Sequence, residues 1–168
     1  MQAAMNRPLV LLSCGSPEPI AALLEQAAPS LADALGLPLA PALGRGAATL
    51  ATAARELADA PASSLIPLLV DPGLALDGGG HWAEALGAAR QCCLLLISAE
   101  QLRGGSAAAS NALLRQWQVP LLGLVQAGGH WDGEARRRDG LPWLGQVGSE
   151  PLVASARLRW QRLQADLS

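Results

Sequence analysis

Short, uninterrupted runs of apolar residues alternate along the chain with longer segments in which apolar residues recur at helical spacing. An uninterrupted run is typical of a strand covered on both faces, whereas a half-exposed strand alternates polar and apolar residues. The runs predict strands at residues 9–14, 37–43, 64–70, 92–98, 119–126 and 142–147.

The segments between these runs predict helices. The first begins at Pro17 after Ser16, is interrupted at Pro29 and ends at Gly36, because proline suits a first helical position and glycine a helix end. Further helices are predicted after Ser149 and at residues 47–60, 82–90 and 107–118, and the arginine-rich segment before the last strand is predicted to be a loop. This alternation predicts a three-layer α/β/α fold with a mainly parallel sheet of about six strands and helices on both faces.

Composition excludes several classes of protein. Of the 168 residues, 51% are hydrophobic and 15% charged, which excludes a disordered chain and predicts a single domain over residues 1–168. The net charge of −2 argues against nucleic acid or an anionic membrane as a partner. Cys14, Cys92 and Cys93 form no CxxC pair. We interpret them as buried thiols, with Cys92 and Cys93 on opposite faces of a strand, and predict a cytoplasmic location.

Polar, glycine-rich segments follow four of the predicted strands, at residues 14–19, 71–82, 98–105 and 126–139. Ligands of parallel α/β sheets bind beyond the carboxyl ends of the strands. These segments therefore predict a ligand or partner surface along one edge of the sheet.

Three sequence features lie within residues 65–147: a strand followed by Asp-Pro-Gly at 71–73, Val-Pro-Leu-Leu-Gly-Leu-Val-Gln at 119–126, and Leu-Pro-Trp-Leu-Gly-Gln-Val at 141–147. This stretch resembles the deviant P-loop NTPases of the dethiobiotin synthetase, MinD/ParA and bacterial tyrosine-kinase type. The resemblance implies that Asp71 holds magnesium or its water and that Gln126 contacts the base of ATP. It also implies that Arg137 lies in the loop around that base, and that Gly15 and Ser16 belong to the phosphate-binding loop.

The phosphate-binding loop departs from the G-x-x-x-x-G-K-[ST] pattern. Counted from Gly15, residues 20–22 place Ile-Ala-Ala where Gly, Lys and Ser/Thr belong, and the chain contains no lysine. Pro17 and Pro19 remove two backbone donors, and Glu18 adds a negative charge where phosphates would lie. ATP with magnesium is therefore disfavoured as a cofactor. We expect a non-catalytic binding or regulatory domain whose partner is a protein or a small molecule.

The tetrad Gly-Gly-His-Trp occurs twice, at residues 79–82 and 128–131, each time after a predicted strand. Tryptophan offers a face for stacking or cation–π contact, and histidine is a switchable donor or acceptor. His81, Trp82, His130 and Trp131 are therefore predicted to form a paired ligand or partner surface. The alternative interpretation is that the tryptophans cover the core while the histidines decorate loops.

Other functions remain open at this stage, and the sequence does not decide whether the chain is an enzyme. Residues 9–21, with Ser-Cys-Gly-Ser-Pro-Glu-Pro, and Pro-Leu-Leu-Val at 67–70 resemble segments of the sirohydrochlorin chelatases, although Cys14 stands where that family has its catalytic histidine. Such an enzyme would use the His81 and His130 loops, and both histidines could join Asp71 around a metal ion, although we assign no metal ligand. An active ATPase with an atypical phosphate loop and a homodimer are the remaining alternatives.

Overall fold

Five parallel strands form one sheet in the computed structural model, which describes residues 7–46 and 49–166. The strands are β1 (Leu9–Leu12), β2 (Leu65–Pro67), β3 (Cys93–Ser98), β4 (Leu121–Ala127) and β5 (Trp143–Gln146), in the spatial order β2-β1-β3-β4-β5. The helices are α1 (Pro17–Leu35), α2 (Leu50–Ala58), α3 (Trp82–Ala88), α4 (Ser106–Gln116), α5 (Gly133–Arg138) and α6 (Glu150–Asp166), with a short 3₁₀ turn at Gln101–Arg103.

Two hydrophobic clusters lie on opposite faces of the sheet. Buried residues of α2, α3 and α4 belong to one cluster, and buried residues of α1 and α6 belong to the other. Cys93 lies in the first cluster and Cys92 in the second, both fully buried. The predicted α/β fold, with a parallel sheet covered by helices on both faces, is therefore confirmed.

The sheet has one strand fewer than the sequence predicts. Residues 37–43 make only two isolated parallel bridges to the sheet, Leu39 to Leu65 and Leu43 to Leu68. Pro38 and Pro41 interrupt this segment, and a proline supplies no N–H to a strand ladder. The segment follows the edge of β2 without becoming a continuous strand.

The first helix is continuous where the sequence predicts an interruption. Helix α1 runs from Pro17 through Pro29 to Leu35, so its predicted start and end are confirmed and the predicted interruption at Pro29 is wrong. Gly36 adopts a left-handed conformation with φ of 68°, and its N–H and that of Leu37 bond the carbonyl oxygens of Asp33 and Ala32. This is the hydrogen-bond pattern of a glycine-terminated helix.

Two further helices differ from the prediction: α5 was not expected, and α2 begins later than expected. The segment predicted as an arginine-rich loop contains the short helix α5, which Asp132 caps by accepting hydrogen bonds at 3.0 Å from the N–H groups of Glu134 and Ala135. Helix α2 begins after Thr49, whose side chain forms a capping box with Thr52. Residues 47 and 48 of the predicted helix lie outside the described residues.

Among the described residues, no helix combines the length and the apolar character that crossing a membrane requires.

Candidate functional site

The neighbouring positions of β1 and β2 bring Asp71 to the turn that follows β1. One oxygen of its carboxylate accepts a hydrogen bond from the Gly15 N–H at 2.7 Å, and the other accepts one from the Gly73 N–H at 2.8 Å. Gly15 has a φ of +113°, a conformation that favours glycine. The two residues that the resemblance expects near a nucleotide are therefore in direct contact, but each carboxylate oxygen already has a protein partner.

The turn between β1 and α1 is too short for a phosphate cradle. Strand β1 ends at Leu12 and α1 begins at Pro17, which leaves only residues 13–16 between them. Ser16 is the exposed N-cap and its side chain makes no capping hydrogen bond. The Ile20 N–H bonds the Ser16 carbonyl at 3.2 Å, and the Ile20 side chain is 1% exposed in the core. A phosphate at this turn would therefore find few free donors.

A cavity of about 320 Å³ lies beside this turn. Its lining comprises Cys14, Gly15, Asp71, Ser106, Ala109, Ser110 and Leu113. Burial raises the pKa of the Cys14 thiol, and the nearby Asp71 raises it further, against a hydrogen bond from Ser110 that lowers it. The thiol is thus held in its neutral form, which is unsuited to nucleophilic or metal-binding chemistry.

Gln101 connects the ends of β1 and β3. Its side-chain amide donates to the Cys14 carbonyl, and its carbonyl oxygen accepts the Ser98 N–H at 2.8 Å. The sequence places this residue in the polar segment 98–105 but does not predict the contact, because the contact joins positions far apart in the chain.

Gln126 is fully buried, and its side chain serves the loop that follows β4. Its amide nitrogen donates to the carbonyls of Gly128 at 2.9 Å and His130 at 3.0 Å. Gln146 donates to the Gly129 carbonyl of the same loop at 2.6 Å. Contact between Gln126 and a nucleotide base, as the resemblance implies, would require this buried amide to leave both carbonyls.

Arg137 and Trp131 line a common cavity of about 310 Å³ on the surface beyond β4 and β5. The rest of its lining comprises Gly133, Arg136, Gly140, Leu141 and Trp143. The rings of Trp131 and Trp143 meet edge to face at 6.0 Å. Two residues from the predicted surface are thus brought together here, and Trp143 joins them. The sequence predicts Trp143 only as part of the strand at residues 142–147, not as part of a binding surface.

The first tetrad has a different environment. Trp82 is fully buried in the cluster beneath α2, α3 and α4 and offers no surface to a ligand. His81 is the N-cap residue of α3, and its ring contacts that of Trp117 edge to face at 5.4 Å. This arrangement agrees with the alternative interpretation, in which tryptophan covers the core.

The strands that the two tetrads follow are not neighbours in the sheet. Strands β1 and β3 separate β2 from β4, so about 14 Å of sheet lies between these two strands. Because Trp82 is also buried, it cannot take part in a surface with Trp131. Within residues 7–46 and 49–166, no three His, Cys, Asp or Glu side chains are grouped so that they could hold a metal ion. The structure therefore gives no support to a His81–His130–Asp71 metal triad.

Comparison with known proteins adds no relative. No protein-family model matches the chain, and no curated protein matches its sequence.

Proposed function

We propose that this chain is a non-catalytic, P-loop-NTPase-like domain that works by binding a small molecule or a protein at the carboxyl ends of its strands. The observation that carries the proposal is the contact between Asp71 and Gly15. A phosphate-binding loop presents free backbone N–H groups to an anion, whereas here the protein's own carboxylate occupies the Gly15 N–H at 2.7 Å.

Electrostatics support the same proposal. A triphosphate needs compensating positive charge, and residues 13–22, which form the turn and the start of α1, contain no lysine or arginine to provide it. Beside the turn stand Asp71 and, in the first turn of α1, Glu18, both negative. Their repulsion of phosphate and the missing donors of Pro17 and Pro19 act in the same direction.

The binding surface of the proposal is the edge beyond β4 and β5, where Trp131 and Arg137 share a cavity. Arginine and tryptophan are enriched where proteins bind partners, because both combine large contact area with directed hydrogen bonds.

A cytoplasmic location and a homodimer belong to this proposal as predictions. Light scattering that detects only the monomer at micromolar concentration would contradict the homodimer.

Titration calorimetry with ATP or GTP in the presence of magnesium tests the proposal. We expect no binding tighter than about 1 mM, because the charge-assisted hydrogen bonds of a phosphate site are absent. Asp71→Asn is the matched variant, since it keeps the size of the side chain and removes its charge. Micromolar affinity in the natural chain that disappears in Asp71→Asn would overturn the proposal.

A further inference from the structure

The cavity beside Trp131 is lined only by hydrogen-bond donors, apolar side chains and glycine. Its side chains are those of Arg136, Arg137, Trp131, Trp143 and Leu141. Arginine and tryptophan side chains donate hydrogen bonds and accept none. A ligand that complements this lining must therefore accept hydrogen bonds.

One wall of the cavity is already held in place. The Arg136 guanidinium lies 5.0 Å from the centre of the Trp143 ring and 3.3 Å from the Asp139 carboxylate. The Trp143 indole N–H bonds both oxygens of the same carboxylate, at 2.9 and 3.0 Å. Asp139 thus pairs with the charge of Arg136 and satisfies the indole N–H of Trp143. The Arg136 Nε is buried and has no hydrogen-bond partner among the described residues.

The opposite side of the cavity carries two donor groups, on half-buried Trp131 and exposed Arg137, that no group of the described residues occupies. Within the described part of the chain, the Arg137 guanidinium and the Trp131 indole N–H have no hydrogen-bond or ion-pair partner. Both lie beside Gly133, where an added Cβ would be 3.4 Å from Trp131 Nε1 and 3.6 Å from Arg137 Nη1. A positive charge and a neutral donor therefore converge on a space that stays open because residue 133 has no side chain.

The backbone before Trp131 is hydrogen-bonded to the buried side-chain amide of Gln126. That amide bonds the carbonyl of His130, the residue before Trp131, at 3.0 Å. Fixing the backbone next to a binding side chain lowers the entropy lost when a ligand is bound. The backbone next to Trp131 is thus fixed by a side chain from the interior.

We propose that this cavity binds a small aryl oxyanion, which is a carboxylate or phosphate group attached to an aromatic ring. A guanidinium matches two oxyanion oxygens in its own plane, and the indoles of Trp131 and Trp143 provide apolar ring surface for the rest of the ligand. A neutral ring offers Arg137 no charge to pair with, so a free nucleoside fits less well. This inference rests on the proposed function, because it specifies the ligand of the same surface.

NMR titration of the indole N–H resonances tests the inference directly. The five tryptophans give five such resonances, and Trp131→Phe identifies the one from Trp131. Sodium benzoate, phenyl phosphate and neutral adenosine are the three probes. We expect benzoate or phenyl phosphate to shift the Trp131 resonance saturably, with a Kd on the order of 1 mM for so small a ligand, and adenosine to leave it unchanged. A tighter Kd for benzoate assigns a carboxylate, and a tighter Kd for phenyl phosphate assigns a phosphate.

Three variants make the titration specific. Gly133→Ala fills the space between the two donors, and Arg137→Gln removes the unpaired charge. Arg137→Gln should weaken anion binding by about tenfold or more, because it removes a hydrogen bond to a charged group. Gly133→Ala should also weaken it, because its Cβ occupies the space between the two donors. Arg138→Gln removes the same charge from the same helix, but Arg138 pairs with Glu134 at 2.6 Å outside the cavity, so binding should persist. Unshifted indole resonances of Trp82, Trp117 and Trp160, which do not line the cavity, establish that each variant is folded.

The inference is overturned if neither anion shifts the Trp131 resonance, or if adenosine shifts it as strongly as they do. It is also overturned if binding survives in both Gly133→Ala and Arg137→Gln. None of these results affects the calorimetric test with ATP and GTP, so the ligand class can fail while the proposed function stands.

Discussion

Asp71 lies beside the turn after β1, but its contacts differ from those of a magnesium ligand. Resemblance places an acidic residue at this point to hold magnesium, and the residue does lie against the turn after β1. Its two oxygens, however, accept the N–H groups of Gly15 and Gly73. A carboxylate that accepts backbone N–H groups ties two loops together, and that is a structural role.

Asp71→Ala should lower the free energy of unfolding by about 1–2 kcal/mol, because two backbone donors lose a charged acceptor at a partly exposed site. Asp71→Asn should cost less, since it keeps one acceptor oxygen. Urea unfolding followed by circular dichroism measures both. Asp77→Ala is the control, because Asp77 is exposed in the same segment and makes no hydrogen bond within the described residues. Equal effects of Asp71→Ala and Asp77→Ala would contradict the assigned role.

The local sequence pattern predicts which helix or strand a residue belongs to, but it does not predict which residues surround it in the fold. Gln126 was identified as a polar residue at a strand end, which is correct, but its burial depends on Gly128 and His130 turning back over it. Trp82 was singled out for its tetrad, yet the core beneath α2 and α3 encloses it. Both outcomes depend on tertiary packing, which no local spacing contains.

At the scale of elements, α3 and α4 meet so closely that one position must be glycine. A Cβ added at Gly87 in α3 would lie 1.9 Å from the Trp117 carbonyl oxygen at the end of α4. The Trp117 ring also contacts His81, at the start of α3. This packing fixes the short helix along its whole length.

Gly87→Ala should therefore destabilise the protein by about 2 kcal/mol or more, although alanine is the better helix former by about 1 kcal/mol. Thermal unfolding measures the change. Gly104→Ala is the control, because a Cβ there meets no atom within 4 Å and the residue has no positive φ. A melting temperature for Gly87→Ala equal to that of the natural chain would show that the two helices are not in this contact.

Elements with both faces buried were the most predictable. The uninterrupted runs that contain β1, β3 and β4 needed no knowledge of neighbours, because burial of both faces favours apolar residues throughout. The segment at 37–43 is also apolar, but its two prolines prevent a continuous strand. Helix α5 was missed because it is short and polar and depends on the Asp132 cap. In both segments the outcome depends on hydrogen bonding rather than on hydrophobicity: missing proline N–H groups prevent the strand, and the Asp132 cap stabilises the helix.

For the molecule as a whole, the two-sided core encloses every cysteine. Cys14, Cys92 and Cys93 are free thiols with at most 4% of their surface exposed. Burial raises the pKa of all three, most strongly for Cys93 in the central strand of the sheet.

The thiols should therefore react with a thiol reagent at pH 8 only after urea unfolds the chain, and rapid labelling of the folded protein would contradict this.

The same shifts predict how stability depends on pH. Below the ordinary thiol pKa of about 8.5, both folded and unfolded chains keep their thiol protons, and the full contribution to stability is present. As pH rises above that value the unfolded chain ionises first, so the free energy of unfolding should fall. The chain has no lysine or tyrosine to titrate in the same range. Urea unfolding at pH 7, 9 and 10 measures the effect, and a constant midpoint would contradict the burial of the thiols.

We propose that the turn after β1 supports no phosphoryl transfer, because the N–H of its glycine is already bonded to a carboxylate. The decisive experiment measures release of inorganic phosphate from ATP or GTP with magnesium, over hours at high protein concentration. We expect release no faster than in buffer for both the natural chain and Asp71→Asn. Turnover by the natural chain that Asp71→Asn abolishes would contradict it.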